Sequence, residues 1–178
     1  MKSLFVLFLF VYVFQSGFSQ SPESVQADAI KKMSWWIGEW KGIATTSMGQ
    51  GKVDTVSMHE SIKSNLGGTI LLIEGIGYRV TNNVVTDEIV HHAFGVLSYD
   101  DKARKYRWQA WRIPYGVYTE YAPEVAENEF KWGMDVPQGK MRYIGKLESN
   151  GEWHETGEFS RDEQSWFGVF EMKLTREK

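Results

Sequence analysis

Six residues of this 178-residue chain carry side chains suited to ligand binding or acid–base chemistry. Histidine and glutamate can transfer protons, arginine can hold a carboxylate in a bidentate pair, and tryptophan stacks on flat or sugar rings. These types predict contacts with a small molecule, and no catalytic residue is assigned among them. The six candidate ligand-binding residues are His59, Glu60, Arg107, Trp108, Trp111 and His154.

Glu60 lies in a segment of alternating polarity typical of a β-strand. It is in phase with Val56, Met58 and Ile62. If that face points inward, Glu60 is buried, and it then needs either a raised pKa or an arginine partner. The candidates for that partner are Arg79, Arg107 and Arg112.

The histidines do not define a metal site. His91 and His92 are neighbours on one predicted strand, so their side chains point to opposite faces. A metal would require one of them to converge with His59 and His154, with a carboxylate such as Glu155. The spacing does not require that convergence, and no metal is predicted. The sequence also lacks the motifs of serine hydrolases, P-loops and dinucleotide-binding proteins.

Ten strand-like segments separated by turn residues must position these side chains. They cover 39–48, 53–65, 69–80, 91–99, 105–113, 115–121, 129–136, 140–148, 152–160 and 166–175, with a loop over 81–89. Short turns without crossover helices predict an all-β, ten-stranded antiparallel meander, and closure into a barrel removes its exposed edges. A two-sheet β-sandwich is the alternative. Barrels of this type commonly enclose a ligand cavity.

The N-terminal residues predict export. Lys2 precedes the apolar run 4–14 and a small, polar stretch, which is typical of a signal peptide over residues 1–19 with cleavage before Gln20. Residues 20–36 form a segment with a short helix capped by Ser24, and 37–178 form the barrel domain. The chain has no cysteine, which excludes a lipoprotein anchor. We therefore expect a secreted or periplasmic protein with no stable membrane insertion after cleavage.

The amino-acid composition limits the classes of partner that this protein is expected to bind. The absence of cysteine excludes thiol catalysis and cysteine-bound zinc, and the net charge of −3 argues against a nucleic-acid partner. Eight Trp and eight Tyr indicate a thick aromatic core or a stacking surface. The expected partner is a small molecule of apolar or aromatic character.

Residues 38–44 (Gly-Glu-Trp-Lys-Gly-Ile-Ala) resemble the G-x-W opening of lipocalins and the G-x-W-x-G-x-G of nitrobindins, with Ala44 in place of the third glycine. Together with the hairpin at 95–100 and the closing segment 170–176, they look like a bacterial calycin-like family that includes fatty-acid-binding-type barrels. The resemblance implies that Trp40 packs beneath Arg176 and closes the barrel base. In nitrobindins, haem depends on a late histidine. The segment around His154 departs from their pattern, so no cofactor is predicted and haem is the one cofactor left open.

These observations favour a secreted calycin-like barrel that binds a small, largely apolar ligand in its interior. One alternative is a secreted enzyme acting on a metabolite or saccharide, with His59, Glu60 or His154 as acid or base. The other is a barrel of the cell envelope that contacts proteins and binds no ligand.

Overall fold

The computed structural model of the protein describes residues 24–47, 51–113 and 116–178. The predicted signal peptide lies outside this part of the chain. Helix α1 spans Val25–Lys31, and the Ser24 hydroxyl accepts a hydrogen bond from the Ala27 N–H at 3.1 Å, which caps the first turn. A 3₁₀ turn at Ser34–Trp36 follows, and another lies at Leu66–Gly68. None of the helices described is long and apolar enough to cross a bilayer.

One continuous antiparallel sheet of eleven strands forms the rest of the molecule and confirms the all-β class. Its order is β6-β5-β4-β3-β2-β1-β11-β10-β9-β8-β7, so every strand except the two at the edges lies between two others. The single sheet excludes the sandwich alternative. The strands are β1 (Gly38–Ser47), β2 (Val53–Asn65), β3 (Ile70–Thr81), β4 (Val84–Asp100), β5 (Lys105–Ile113), β6 (Val117–Tyr121), β7 (Glu124–Ala126), β8 (Glu129–Val136), β9 (Gly139–Leu147), β10 (Trp153–Ser160) and β11 (Phe167–Arg176).

Two strand boundaries differ from the sequence prediction. The predicted loop at 81–89 is a tight turn, because Asn82 and Asn83 both adopt positive φ (51° and 61°) and let β4 begin at Val84. The short strand β7 adds an eleventh strand, and three residues are too few to show an alternating pattern.

The sheet curls into a barrel whose edge strands β6 and β7 are joined by only two residues. No backbone ladder joins these edges in the described residues, so side chains close the seam. The Tyr121 ring lies 4.8 Å from Trp132, and the Trp108 ring lies 5.3 Å from the same indole. The opposite junction, between β1 and β11, is a regular ladder running from Trp40–Arg176 to Thr46–Phe170.

The segment before β1 fills one end of the barrel, which we call the plugged end and define by Met33, Trp36, Trp40, Phe130 and Trp153. Their exposed fractions lie between 0 and 2%. The Trp36 ring meets Trp153 edge-on at 5.1 Å and Phe130 at 4.7 Å, and each such aromatic pair contributes about 0.5–1.5 kcal/mol beyond burial. The Trp40 indole N–H donates to the Trp36 carbonyl at 2.8 Å, which ties the plug to β1.

The β1–β11 ladder ends at a contact between Trp40 and Arg176. The Arg176 guanidinium carbon lies 4.2 Å from the centre of the Trp40 ring. Its nitrogens also donate to the backbone carbonyls of Ile37 and Trp35. The last strand therefore holds the plug in place through one side chain.

Candidate functional site

Half-way along the barrel, the inward face changes from apolar to acidic. Strand register places Glu60 of β2 between Trp40 and Gly75, so its side chain shares the interior with the plug. Glu155 of β10 lies between Met172 and Gly145 and also points inward. Only 7% of Glu60 and 6% of Glu155 is exposed. Two carboxyl groups are thus buried in one interior, which we call the acid pair.

Glu60 fits because Gly75 has no side chain. A Cβ on Gly75 would lie 2.5 and 2.6 Å from the two carboxyl oxygens of Glu60, so any larger residue would displace the acid. Burial, and to a smaller extent the charge of Glu155, raises the pKa of Glu60 to about 8. Glu60 therefore carries its proton at neutral pH.

Glu155 has a hydrogen-bond donor that Glu60 lacks. The Trp132 indole N–H donates to Glu155 Oε1 at 3.2 Å. Burial raises the pKa of Glu155 to about 7, although the Trp132 and Trp153 indoles both oppose that rise. The Trp153 N–H lies beside this carboxyl but forms no hydrogen bond of acceptable geometry. Near neutral pH the acid pair thus holds between one and two protons.

An aromatic wall rises from the acid pair along β8, β9 and β11. The Trp132 and Tyr143 rings stack at 4.2 Å with an interplanar angle of 10°, and Phe170 meets Tyr143 at 5.7 Å. Burial, Glu155 and Tyr121 raise the pKa of Tyr143 to about 12, which keeps its hydroxyl neutral. The three aromatic side chains of the wall are only half-buried although they face inward. Solvent therefore reaches the interior at this end, which we call the open end.

The wall opposite the aromatic side chains, on β3, β4 and β5, is built from small residues. The inward positions there are Gly75, Gly77, Ala93, Gly95 and Ala110. Small residues on β3 to β5 therefore lie across the interior from the large rings of β8, β9 and β11. The Trp108 indole lies at the base of the open end against Gly95, and its buried N–H has no partner among the residues described.

Two basic residues, His91 and Arg112, project from β4 and β5 towards the open end. Burial, followed by the charges of Arg112 and His92, lowers the pKa of His91 to about 4, so its imidazole is neutral at pH 7. Arg112 is exposed at the rim. It also acts on the charge balance of Tyr143, whose pKa it lowers slightly. His92 points outward to Glu74 at 3.0 Å, as strand alternation requires.

The structure places four of the six candidate ligand-binding residues on the outer face of the sheet, away from the interior in which the ligand is expected. His59 lies 3.2 Å from Glu39, and Arg107 lies 2.9 Å from Glu120. The physical reason is alternation: His59 follows inward Met58, and Arg107 follows inward Tyr106.

His154 and Trp111 are the other two outward residues. His154 lies 3.3 Å from Glu148 and 3.1 Å from Glu171 on the outer face, so it is not positioned as an interior haem ligand. Trp111 is 40% exposed, and its ring lies 6.3 Å from Phe94 and 5.5 Å from Tyr118 in an outer aromatic row. Glu60 and Trp108 are thus the two predicted residues that the fold brings into one interior.

The sequence analysis considered Glu155 and His91 only as metal ligands and Arg112 only as a partner of Glu60, and it missed Trp132 and Tyr143 as parts of this interior. Glu155 is in phase with Trp153 and Gly157, a pattern that indicates a shared face but not its direction. The Trp132–Tyr143 stack depends on the register of β8 against β9, which the sequence does not specify. Among the residues described, no three His, Asp or Glu side chains are placed to hold a metal ion.

No protein-family model matches this sequence, and no curated protein matches it by sequence. Solved structures match it by fold. Rv2717c from M. tuberculosis is similar with a TM-score of 0.58 at 12% identity, over 84% of this chain and 98% of that one. The S-type phycobiliprotein lyase CPES from Guillardia theta is similar with a TM-score of 0.54 at 11% identity, over 85% of this chain and 92% of that one. The chain therefore shares a curled β-barrel fold with these two structures.

Proposed function

We propose that this protein binds a small, largely apolar ligand in the open end of its barrel. One observation carries the proposal: the inward aromatic wall of Trp132, Tyr143 and Phe170 is half-buried, whereas the inward rings of the plugged end are sealed. A solvent-accessible aromatic surface inside a concave sheet is the usual setting of a small-molecule site. The ligand stacks on this wall and faces the small residues opposite.

Two further observations support the proposal. This chain shares its fold with a phycobiliprotein lyase, and we take from that likeness the fold alone and no substrate. The G-x-W opening around Trp40 resembles that of ligand-binding barrels, which supports membership of the bacterial calycin-like family. We also propose that the protein is exported, and N-terminal sequencing of the mature protein should then begin at Gln20.

The direct test fills the open end. Ala110→Phe places a ring inside the barrel at the open end, and Gln109→Phe places the same ring on the outer face of the same strand. Titration with Nile red, a neutral apolar dye, should give a fluorescence rise with the unaltered protein and with Gln109→Phe. We expect Ala110→Phe to weaken dye binding by about tenfold or more, because steric exclusion removes contacts with the aromatic wall. Equal binding by both variants, or no binding by the unaltered protein, would contradict the proposal.

The two alternatives fare differently. The enzyme alternative required His59, Glu60 or His154 to share a cavity, but only Glu60 faces the interior. The outer aromatic row of Phe94, Trp111 and Tyr118 favours protein contact as the second candidate function. Its test is Trp111→Ser, which should leave Nile red binding unchanged if the interior is the ligand site.

A further inference from the structure

We infer that the acid pair is a recognition site for a positively charged nitrogen on a flat heteroaromatic ligand. The inference rests on the proposed function, because such a ligand must enter the same open end. It adds the chemical class of the ligand. An apolar wall alone would accept any flat molecule, whereas two inward carboxyl groups discriminate by charge.

Glu60 is the observation that points to a ligand. Its side chain is more than nine-tenths buried, and no hydrogen bond reaches its carboxyl group from the residues described. Both of its oxygens lie inside the barrel over Gly75. A buried acid without a partner costs stability, and an apolar residue of similar volume would pack there without that cost. A ligand N–H group would supply the missing partner.

The charges around the pair also favour a cation. Glu155 is the charged group that acts on Glu60, and no lysine or arginine contributes to the shift of either acid among the described residues. Tyr143 lies near Glu155 from β9 and is neutral, while the nearest basic groups, His91 and Arg112, lie further towards the rim. The interior therefore holds two carboxyl groups without a built-in counter-ion, and each becomes negative when it gives up its proton.

The rings beside the pair select the shape of the ligand. Trp132 donates to Glu155 and stacks on Tyr143, so one side chain connects the acidic group to the flat wall. A planar cation placed there gains stacking and cation–π attraction together with a charge-assisted hydrogen bond. The hydrogen bond from Trp132 also fixes the orientation of the Glu155 carboxyl group.

The first experiment compares two fluorescent three-ring probes, cationic proflavine and neutral acridone. We expect proflavine to bind the unaltered protein about tenfold or more tightly than acridone. The double substitution Glu60→Gln and Glu155→Gln keeps the shape and removes the charge, so it should weaken proflavine binding by about 10- to 100-fold. Acridone binding should change less than about twofold, which is within the spread expected of an isosteric change.

Glu74→Gln is the matched control. Glu74 is an exposed acid on the outer face of β3, adjacent in sequence to Gly75. The same chemical change there should leave proflavine affinity unaltered. Thermal unfolding of each variant confirms that it is folded before the titration is interpreted.

A second measurement needs no variant. Because Glu60 is protonated near neutral pH, a cation that requires its carboxylate must displace a proton. Calorimetry of proflavine binding at about pH 7, in two buffers of different ionisation enthalpy, should show proton release, and affinity should rise between about pH 6 and about pH 8. Acridone should release none.

The possible outcomes distinguish a failure of the cation site from a failure of the proposed apolar site. Equal affinity for both probes, unchanged by Glu60→Gln with Glu155→Gln and without proton release, would overturn the cation site while leaving the apolar site intact. Failure of both probes and of Nile red to bind would overturn the proposed function and the inference together.

Discussion

The plugged end and the open end of this barrel are built from the same alternating strands, yet the inward rings are sealed at the plugged end and half-buried at the open end. At the plugged end, Trp36 and Trp40 are at most 1% exposed and contact other rings on several sides. At the open end, Trp132 and Tyr143 form an equally close stack but remain half-buried. Side-chain size alone does not explain the difference, since both ends carry large aromatic residues.

The difference lies in what covers each end. The residues after α1 supply Met33 and Trp36 to the plugged end, and Trp35 of the same 3₁₀ turn stacks on Phe130. Between Trp108, which contacts Trp132, and the rim, the inward side chains of β3 to β5 are glycine and alanine apart from His91 and Arg112. A barrel can bind a ligand at the end whose interior its own side chains do not fill.

The largest expected effect is loss of a ring from the plugged end. Trp40→Ala removes a sealed indole, its hydrogen bond to Trp36 and the surface under Arg176. We expect it to lower the free energy of unfolding by about 3–5 kcal/mol, against about 1–2 kcal/mol for Trp132→Ala at the open end. Urea unfolding followed by circular dichroism measures both. Equal losses would mean that the two ends are equally part of the core.

The second-largest expected effect is electrostatic and arises from the buried carboxyl group of Glu60. Burial raises the folded-state pKa of Glu60 to about 8, so the folded protein holds a proton that the unfolded chain releases at lower pH. Stability therefore falls as pH rises towards 8. His91, with its pKa lowered to about 4, acts in the opposite direction below its unfolded pKa near 6.5.

Above about pH 7, which is beyond the pKa values of both His91 and Glu155, the Glu60 contribution stands alone, and we expect a loss of about 1 kcal/mol up to about pH 8. Glu60→Gln should flatten the unfolding free energy over this window, while Glu74→Gln should not. A slope that persists in Glu60→Gln would show that another group titrates there.

The smallest effect compares two arginines that lie over tryptophan rings. Arg176 lies over Trp40 and also donates to two carbonyls of the plug, whereas Arg142 lies over Trp166 at 4.0 Å on the outer face. Lysine keeps the charge but not the forked donors. We expect Arg176→Lys to cost about 1–2 kcal/mol and Arg142→Lys about 0.5 kcal/mol or less. The difference in melting temperature between the two variants checks this.

Much of the fold follows from sequence pattern, and much of the site does not. Alternation along 53–65 placed Glu60 on one face with Met58 and Ile62, and the same rule separated His91 from His92. Alternation does not say which face is concave, so the sequence could not decide which of the six candidate residues enter the interior, and His59, Arg107, Trp111 and His154 lie outside. That choice depends on the curl of the whole sheet, which no single strand encodes.

The Trp132–Tyr143 stack shows a second limit. The two residues lie on paired strands and meet because Met134 pairs with Met141 and Val136 with Gly139 around the turn. A slip of one residue in either strand would turn the ring of that strand to the outer face and separate the two rings. The acid pair depends in the same way on register, across strands that are far apart in the chain.

The most direct test of whether a ligand enters the open end and not the plugged end uses the eight tryptophan indole N–H groups as reporters. Proton–nitrogen correlation spectra are recorded while acridone is added, after assignment by single Trp→Phe substitutions. The account predicts shifts at Trp108 and Trp132, and none at Trp36, Trp40 or the outer Trp111. Shifts confined to Trp111, or shifts at Trp36 and Trp40 equal to those at Trp132, would contradict it.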